Sequence, residues 1–398
     1  MPDSPASSPI TQATSPIRSL IPLYVGECFI LIANGIAFTA IAARAIAAGL
    51  DSQAVGAAGS AFYAGLFAIY LAGPVLVGRF GLRVMALAAA PITLLGLAAL
   101  LHGVPTAWFA GRFTMGIGIP LLYVAMENWI NLSVGRASRG RALAIYMAVY
   151  LGSYAAGQAV LLAVPATSTV ALWIAAGSLI AGLAAFAFAV PPAAQPLAPL
   201  PKGGVRQILR FASVGIWASL VSGLAAGAFY ALGPVYALTI GMNPNRIAAF
   251  LIAVILGASA AQLVLGVASD RVDRSRVLAF LCGIAGLVSL ALCFATDASA
   301  IVFVLAMIWG SAGLTGYATA AALAYDAPHG RPPREVAQLI LVANGIGGIA
   351  GPGLASILDA VQPGKGLFIL SAGVFAALWF VLARGLGGQR GKQRLRES

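Results

Sequence analysis

The stretch RFTMGIGIPLLYVAMENWINLSVGRASRGR, Arg112 to Arg141, decides how this chain is read. Its apolar run is long enough to cross a bilayer as a helix, which takes about 20 residues. It opens on Arg112, carries Glu127 fifteen residues on, and breaks into a loop holding Arg136, Arg139 and Arg141. A charge at the centre of such a helix costs about 2.5–3.5 kcal/mol on insertion scales. Arg112 and Glu127 must therefore face protein or water. At roughly 100° per residue, Arg112, Gly116, Tyr123 and Glu127 fall within about 60° of one another. They form one stripe, and a polar stripe on a spanning helix implies an interior pathway.

The rest of the chain has the same character. Of its 398 residues, 61% are hydrophobic and 9% charged, against about 25% charged in a soluble domain. The mean hydropathy of +0.95 indicates an integral membrane protein. Twelve apolar runs lie near 20–48, 53–77, 84–101, 107–134, 142–164, 169–190, 211–239, 246–268, 277–296, 300–326, 336–358 and 367–385. Most match the bilayer core, and the longer ones can tilt. Asp51-Ser52 and Asn243-Pro244-Asn245 read as caps opening the second and eighth runs.

The charge of +12 is explained by where the cations fall. Alternate loops and the two ends collect 19 of the 23 Lys and Arg, and the opposite side has only Arg44, Arg112, Arg246 and Lys365. This asymmetry predicts that both termini are cytoplasmic and removes any need for nucleic acid as a partner. Cys28, Cys282 and Cys293 sit singly in apolar runs, so neither a disulfide framework nor a metal site is expected. There is no HExxH, GxSxG or P-loop pattern, so neither an enzyme, a cofactor nor ATP drive is predicted.

The chain also repeats itself. Gly35, Gly65, Arg79 and Gly81 correspond to Gly227, Gly257, Arg271 and Asp273 at an offset of 192. Arg136 and Arg139 correspond to Arg331 and Arg334 at 195, and Gly157 to Gly351 at 194. The expected layout is a disordered cytoplasmic tail over 1–19, a six-helix bundle over 20–190, a linker over 191–210, a second bundle over 211–385 and a basic tail over 386–398. Two parallel halves around a midplane site is a transporter plan.

Specific motifs agree. GVASDRVDRSR, Gly266 to Arg276, resembles the loop signature G-x-x-x-D-R-x-G-R-[KR] of the major facilitator superfamily, with Asp273 in place of the usual glycine. Its first-half counterpart, PVLVGRFGLR from Pro74, has Gly78 where the aspartate would stand but retains Arg79, Gly81 and Arg83. Arg112-x-x-x-Gly116-x-Gly118 is similar to the superfamily's fourth-helix motif. Gly347-x-x-x-Gly351-Pro352 resembles its G-x-x-x-G-P motif, here on the eleventh helix, where it says nothing of antiport. A narrower resemblance, to the YcaD-like group of bacterial facilitators, covers nearly the whole chain. It rests on ENWIN from Glu127, Arg139-Gly140-Arg141, Tyr146-Met147, Arg44-Ala45 with Gly49, GAFYALGPVYA from Gly227, and DRVDR from Asp270. On the tenth helix, Leu323 and Tyr325 stand where that group commonly has His and Asn before the aspartate, and only Asp326 remains. The histidine that a His-based proton relay would need is absent there.

The resemblance implies an all-α fold of twelve transmembrane helices in two pseudo-symmetric six-helix bundles. It implies a secondary transporter of the bacterial inner membrane working by alternating access on a small organic solute. Proton coupling is one expectation. Uniport, or efflux of hydrophobic compounds, is the alternative, and a receptor or intramembrane enzyme lies further off. The expected partners are the solute, protons and the bilayer, and the chain is expected to act as a monomer.

Two groups of residues carry these expectations. A cytoplasmic gate would contain Asp270, Arg271 and Arg274 with Arg79, Arg83, Asn131, Arg139, Arg141 and Asp326. A carboxylate there can cap a helix while arginines pair across the halves in one state; plain topology determination is the simpler reading. A substrate or proton pathway would draw on Glu27, Asn34, Arg44, Arg112, Tyr123, Glu127, Tyr150, Gln158 and Gln262. Glu27 and Asn34 share a face of the first helix with Phe38 and Ile41. Desolvation penalises a charged carboxylate there, so its protonation can follow exposure; a structural hydrogen bond is the alternative. Glu127 either joins the gate through Arg79, Arg139 or Arg141 or takes part in transport. Arg112 either binds an anionic solute, closes an outer gate or makes a structural pair. The tyrosines at 146, 150 and 154 and the amides Gln158 and Gln262 suit a ligand site or plain helix packing. Gly152, Gly157, Gly345, Gly347 and Gly351 are read as sites of close helix approach.

Overall fold

The computed structural model describes residues 17–100, 105–134, 136–190, 213–268, 272–326 and 333–397. Within these, the side chains of 17, 105–106, 136–140, 143–144, 263–268, 333–335 and 386–397 are not described. Asp270, Arg271, His102, His329, Arg331 and the linker over 191–210 lie outside the described residues. So do most of the N-terminal tail and the side chains of Arg136, Arg139 and Arg334.

All described elements are helical. After a 3-10 turn at Ile17–Leu20 come α1 (Ile21–Ala47), α2 (Ser52–Ala99), α3 (Pro105–Ser133), α4 (Arg136–Ala163) and α5 (Thr169–Ala187). They are followed by α6 (Val214–Thr239), α7 (Pro244–Ala268), α8 (Arg274–Cys293), α9 (Ala300–Trp309), α10 (Gly316–Asp326), α11 (Pro333–Val361) and α12 (Gly366–Glu397). A π-helical turn, Gly310–Leu314, joins α9 to α10. Eleven helical segments are long and apolar enough to cross a membrane. Large apolar side chains face outward all along them, among them Val75, Leu95, Trp173, Phe280 and Leu287. Without lipid, such a surface would be an unusual exposed apolar area.

The second and third apolar runs form one 48-residue segment, α2, whose backbone leaves the helix only at Gly81 (φ 77°, ψ 162°). Glycine adopts this conformation without steric penalty. The predicted caps are present. Asp51 Oδ1 accepts the Ala54 N–H at 2.8 Å, and Asn243 Oδ1 accepts the Arg246 N–H at 2.9 Å. The stops before them match as well: Gly49 (φ 81°) ends α1 and Gly241 (φ 80°) ends α6. Leu50 N–H then reaches back to Ala45 O, and Met242 N–H to Ala237 O, both at 3.0 Å. Each stop and cap recurs at the offset of 192 read from the sequence.

The packing repeats too. α1 crosses α4 with Gly35 and Gly157 Cα-to-backbone, and α6 crosses α11 at Gly227, Gly348 and Gly351. α2 crosses α3 where Gly65 and Gly116 meet, and α7 crosses the π turn where Gly257 meets Met307 and Gly310 meets Val254. Gly116 and Gly310 are 194 apart, while Asn131 and Asp326 are 195 apart. The π turn lies between Gly310 and Asp326. A π turn inserts one residue into an α-helix, which accounts for the increment.

The two repeats meet along α2 and α11. The row runs from Gly56 on Ser356, through Gly59 on Pro352 and Tyr63 on Gly348, to Phe67 on Gly345. Ser60 Oγ donates to Ile349 O at 2.7 Å within it. α1 meets α6, and α4 meets α7, on the same interface. No packed row of this kind joins α3 or α4 to α10 or α11 among the described residues.

Candidate functional site

Between the repeats lies a cavity spanning about 350 Å³ with the open solvent at its mouth included, lined by Asn34, Phe38, Phe62, Tyr63, Tyr123, Tyr150, Tyr154 and Tyr230. Its lining draws on α1, α2, α3, α4 and α6. Asn34 is buried and its Oδ1 has no hydrogen-bond partner. Tyr123 and Tyr150 stand with ring centroids 5.5 Å apart and share a hydroxyl–hydroxyl hydrogen bond. Two turns below Asn34 on the same face of α1, Glu27 is fully buried, and neither carboxylate oxygen has a partner. Glu127 is near enough for the two carboxylates to repel when both are charged.

Glu127 is exposed, yet Tyr70 of α2, Tyr146 of α4 and Tyr317 of α10 all lie within its electrostatic reach. With residues of α2, α4 and α10 near it, this exposure fits a side chain facing a cleft between those helices. Among the described residues it makes no ion pair, with Arg79 and Arg141 included. Its backbone oxygen accepts from Asn131 Nδ2 at 2.8 Å.

Arg112 occupies the other end of the expected stripe. It is 4% exposed, and its guanidinium lies over the rings of Phe38 and Phe62 at 4.6 and 4.7 Å. The stripe on α3 therefore serves three purposes: Arg112 meets aromatic rings, Gly116 admits α2, and Tyr123 and Glu127 face the central space.

Gln158 and Arg44 have local partners. Gln158 is fully buried; its Oε1 accepts from Thr39 at 2.9 Å and its Nε2 donates to Gly35 O at 2.8 Å. It ties α4 to α1 at their glycine crossing, although it also borders a small cavity beside Tyr154 and Tyr230. Arg44 donates to Thr167 O at 2.8 Å. Gln262 is exposed and lines none of the three cavities described. Gly152 has open space where a Cβ would stand, unlike Gly157, Gly345, Gly347 and Gly351.

Of the expected gate, the part described in the second repeat forms a bidentate pair. Arg274 Nη1 donates to Asp326 Oδ1 and Oδ2 at 2.7 and 2.6 Å, joining α8 to α10 within one repeat. Asp273, in the glycine position of the loop signature, accepts the Arg276 N–H at 3.0 Å and caps α8. In the first repeat Arg83 donates to Ala187 O at 3.1 Å, and Arg79 lies 5.4 Å from the centroid of Phe80. No arginine pairs across the repeats among the described residues. Sequence reasoning missed Trp108, one turn before Arg112. Its indole N–H is buried without a partner.

Helices of membrane-spanning length around a polar, aromatic cavity suit a solute transporter. The chain belongs to the Major Facilitator Superfamily, whose sequence profile matches residues 23–352. It is 27% identical over 282 residues to an uncharacterized MFS-type transporter, YcaD, of Salmonella typhi, covering 71% of this chain and 73% of that one. An uncharacterized MFS-type transporter of Yersinia pestis is 28% identical over 284 residues, 70% of this chain and 72% of its own. Among solved structures, a point mutant of the nucleoside transporter NupG superposes with a TM-score of 0.78 at 14% identity, over 92% of this chain and 99% of that one. The human organic anion transporter MFSD10 does so with a TM-score of 0.63 at 15% identity, over 93% and 100%. These likenesses agree with the resemblance to the YcaD-like group and with a multi-pass membrane protein.

Proposed function

We propose that this protein is a secondary transporter that carries a small organic solute across the bacterial inner membrane by alternating access. It crosses the membrane twelve times, in bundles over 20–190 and 211–385, with both termini in the cytoplasm. The break at Gly81 supports two crossings within α2, because 48 residues of helix would span about 72 Å against a core of about 30 Å. The recurring stops, caps and crossings support the two bundles, and the distribution of Lys and Arg supports the orientation.

The observation that carries the reading is the polar content of the interior. Asn34 and Glu27 present buried acceptors with no partner in the protein. Leaving such a group unsatisfied costs about 1–3 kcal/mol or more, which a purely structural core would avoid by an apolar residue. A passing solute or proton supplies the missing partner. The packed α2–α11 row closes one side of the cavity, and the exposure of Glu127 favours an inward-facing arrangement. Glu27 is the group best suited to carry a proton, since its burial makes charge and access interdependent. Arg274 and Asp326 act at the cytoplasmic gate with the loop from Asp270.

The test is solute movement by the purified protein in liposomes under an imposed pH gradient. Accumulation or expulsion of a solute beyond that in empty liposomes is the expected result. Covalent alteration of a bound ligand, without movement, would replace transport by enzymatic chemistry.

A further inference from the structure

A second cavity, spanning about 430 Å³ with the open solvent at its mouth included, lies where α1 ends and α2 and α3 begin. Its walls are almost wholly apolar, including Ile41, Ala45, Leu50 and Val55. Two polar groups line it, Arg112 and Trp108, besides the Tyr230 ring that it shares with the central cavity. Trp108 and Arg112 are four residues apart on α3, so they stand on one face, one turn apart. Trp108 is 5% exposed and Arg112 is 4% exposed. Trp108 Nε1 and Arg112 Nη1 are both buried without a hydrogen-bond acceptor. No Asp or Glu lines the cavity, and among the described residues no carboxylate pairs with Arg112.

An indole and a guanidinium can only donate. The rings of Phe38 and Phe62 compensate part of the arginine's desolvation from its faces, but they accept nothing from Nη1 in its plane. The cavity wall thus holds two unpaired donors, a net positive charge and apolar side chains, with both donors closed off from water in this conformation. That set is complementary to a group with two acceptor oxygens, one negative charge and a hydrocarbon body. We infer that this cavity is a binding subsite for an organic carboxylate, with its two oxygens held by Arg112 Nη1 and Trp108 Nε1 and its apolar body against α1 and the start of α2. The inference rests on the transport reading, to which it adds a substrate class. Phe38 and Tyr230 border both this cavity and the central one, so a solute held here stands against the same aromatic pair.

The test is binding of benzoate to the full-length protein in detergent by titration calorimetry, with benzamide and benzylammonium as neutral and cationic probes of the same shape. Benzoate should bind and the other two should not. Arg112→Gln should weaken benzoate binding about ten- to hundredfold, the loss of a charged hydrogen bond, and Trp108→Phe about three- to tenfold. Should Arg112→Gln fail to fold, Trp108→Phe decides, because phenylalanine keeps an aromatic ring there and removes the donor. Equal binding of benzoate and benzamide, or unchanged benzoate affinity in Trp108→Phe, would overturn the inference. Selective benzoate binding without movement across proteoliposomes supports the subsite and counts against the transport reading instead.

Discussion

Phe38 and Tyr230 occupy equivalent positions of the two repeats, 192 residues apart, and their rings meet edge to face with centroids 5.4 Å apart. Each repeat thus contributes the same side-chain position to one contact, which borders both the central cavity and the apolar one at the start of α2. Tyr154 closes the group, 6.2 Å from Phe38 and 5.9 Å from Tyr230. Arg112 lies on the other side of Phe38.

If this pair closes the outer side, removing either ring should favour the opposite state. An aromatic pair contributes about 0.5–1.5 kcal/mol beyond its buried area, enough to shift a two-state population several-fold to tenfold. In a variant lacking Cys28, Cys282 and Cys293, a cysteine placed at Ala58, beside the apolar cavity, reports on this. Its labelling by a membrane-impermeant maleimide from outside should quicken with Phe38→Ala or Tyr230→Ala. Phe280→Ala, on the exposed surface, should leave it unchanged. Equal rates in all variants would remove the pair from the gate.

The repeated crossings make a second, sharper prediction. A Cβ on Gly116 would stand 2.8 Å from the Phe62 carbonyl carbon, and one on Gly310 2.8 Å from that of Val254. Backbone in a packed helix cannot retreat as a side chain can, so Gly116→Ala and Gly310→Ala should each destabilise by about 1–3 kcal/mol. Gly152→Ala meets nothing within 4 Å and should be neutral, or stabilising by about 0.5–1 kcal/mol through helix propensity. Thermal unfolding in detergent separates them, and a Gly152→Ala loss as large as the others would count against the crossing geometry.

What could be read in advance followed spacing. The offset of 192 paired Gly35 with Gly227 and Gly65 with Gly257 in advance; the Phe38–Tyr230 contact stands at the same offset but was not read from it. The shift of that offset to 195 carried the π turn, but an inserted residue looks the same in sequence as a longer loop. Partner choice was not legible. Gln158 reads as a ligand amide until the Gly35–Gly157 crossing places it against Thr39 and a backbone oxygen. Trp108 belongs to no motif, and only its buried, unpartnered indole N–H sets it apart. Gly152 looked like its neighbours in a glycine-rich pattern, and burial alone distinguished it.

The Arg274–Asp326 pair tests whether a loop charge is structural or functional. Its side chains are 29% and 52% exposed, and exposed pairs contribute about 0–1 kcal/mol. Asp326→Asn should therefore lower stability by less than about 1 kcal/mol. A gate role predicts a far larger change in transport rate, and partial recovery in the exchanged double variant Arg274→Asp, Asp326→Arg. A transport loss no greater than the stability loss would reduce the pair to a surface contact.

The coupling ion depends on Glu27. Its carboxylate is fully buried and has no partner, and a second carboxylate, the exposed Glu127, is near enough to repel it. A proton can stabilise one conformation over another only if the two states bind it unequally. Glu27 is sealed in this conformation, and one that let water reach it would bind the proton less tightly. Glu27→Gln keeps the size and removes the charge change. It should abolish accumulation driven by a pH gradient while solute binding, followed by thermal shift, persists. If Glu27→Gln keeps full pH-driven transport and Glu127→Gln loses it, the carrier is Glu127. If both variants keep it, protons do not drive this protein, and the remaining reading is uniport or coupling to another ion.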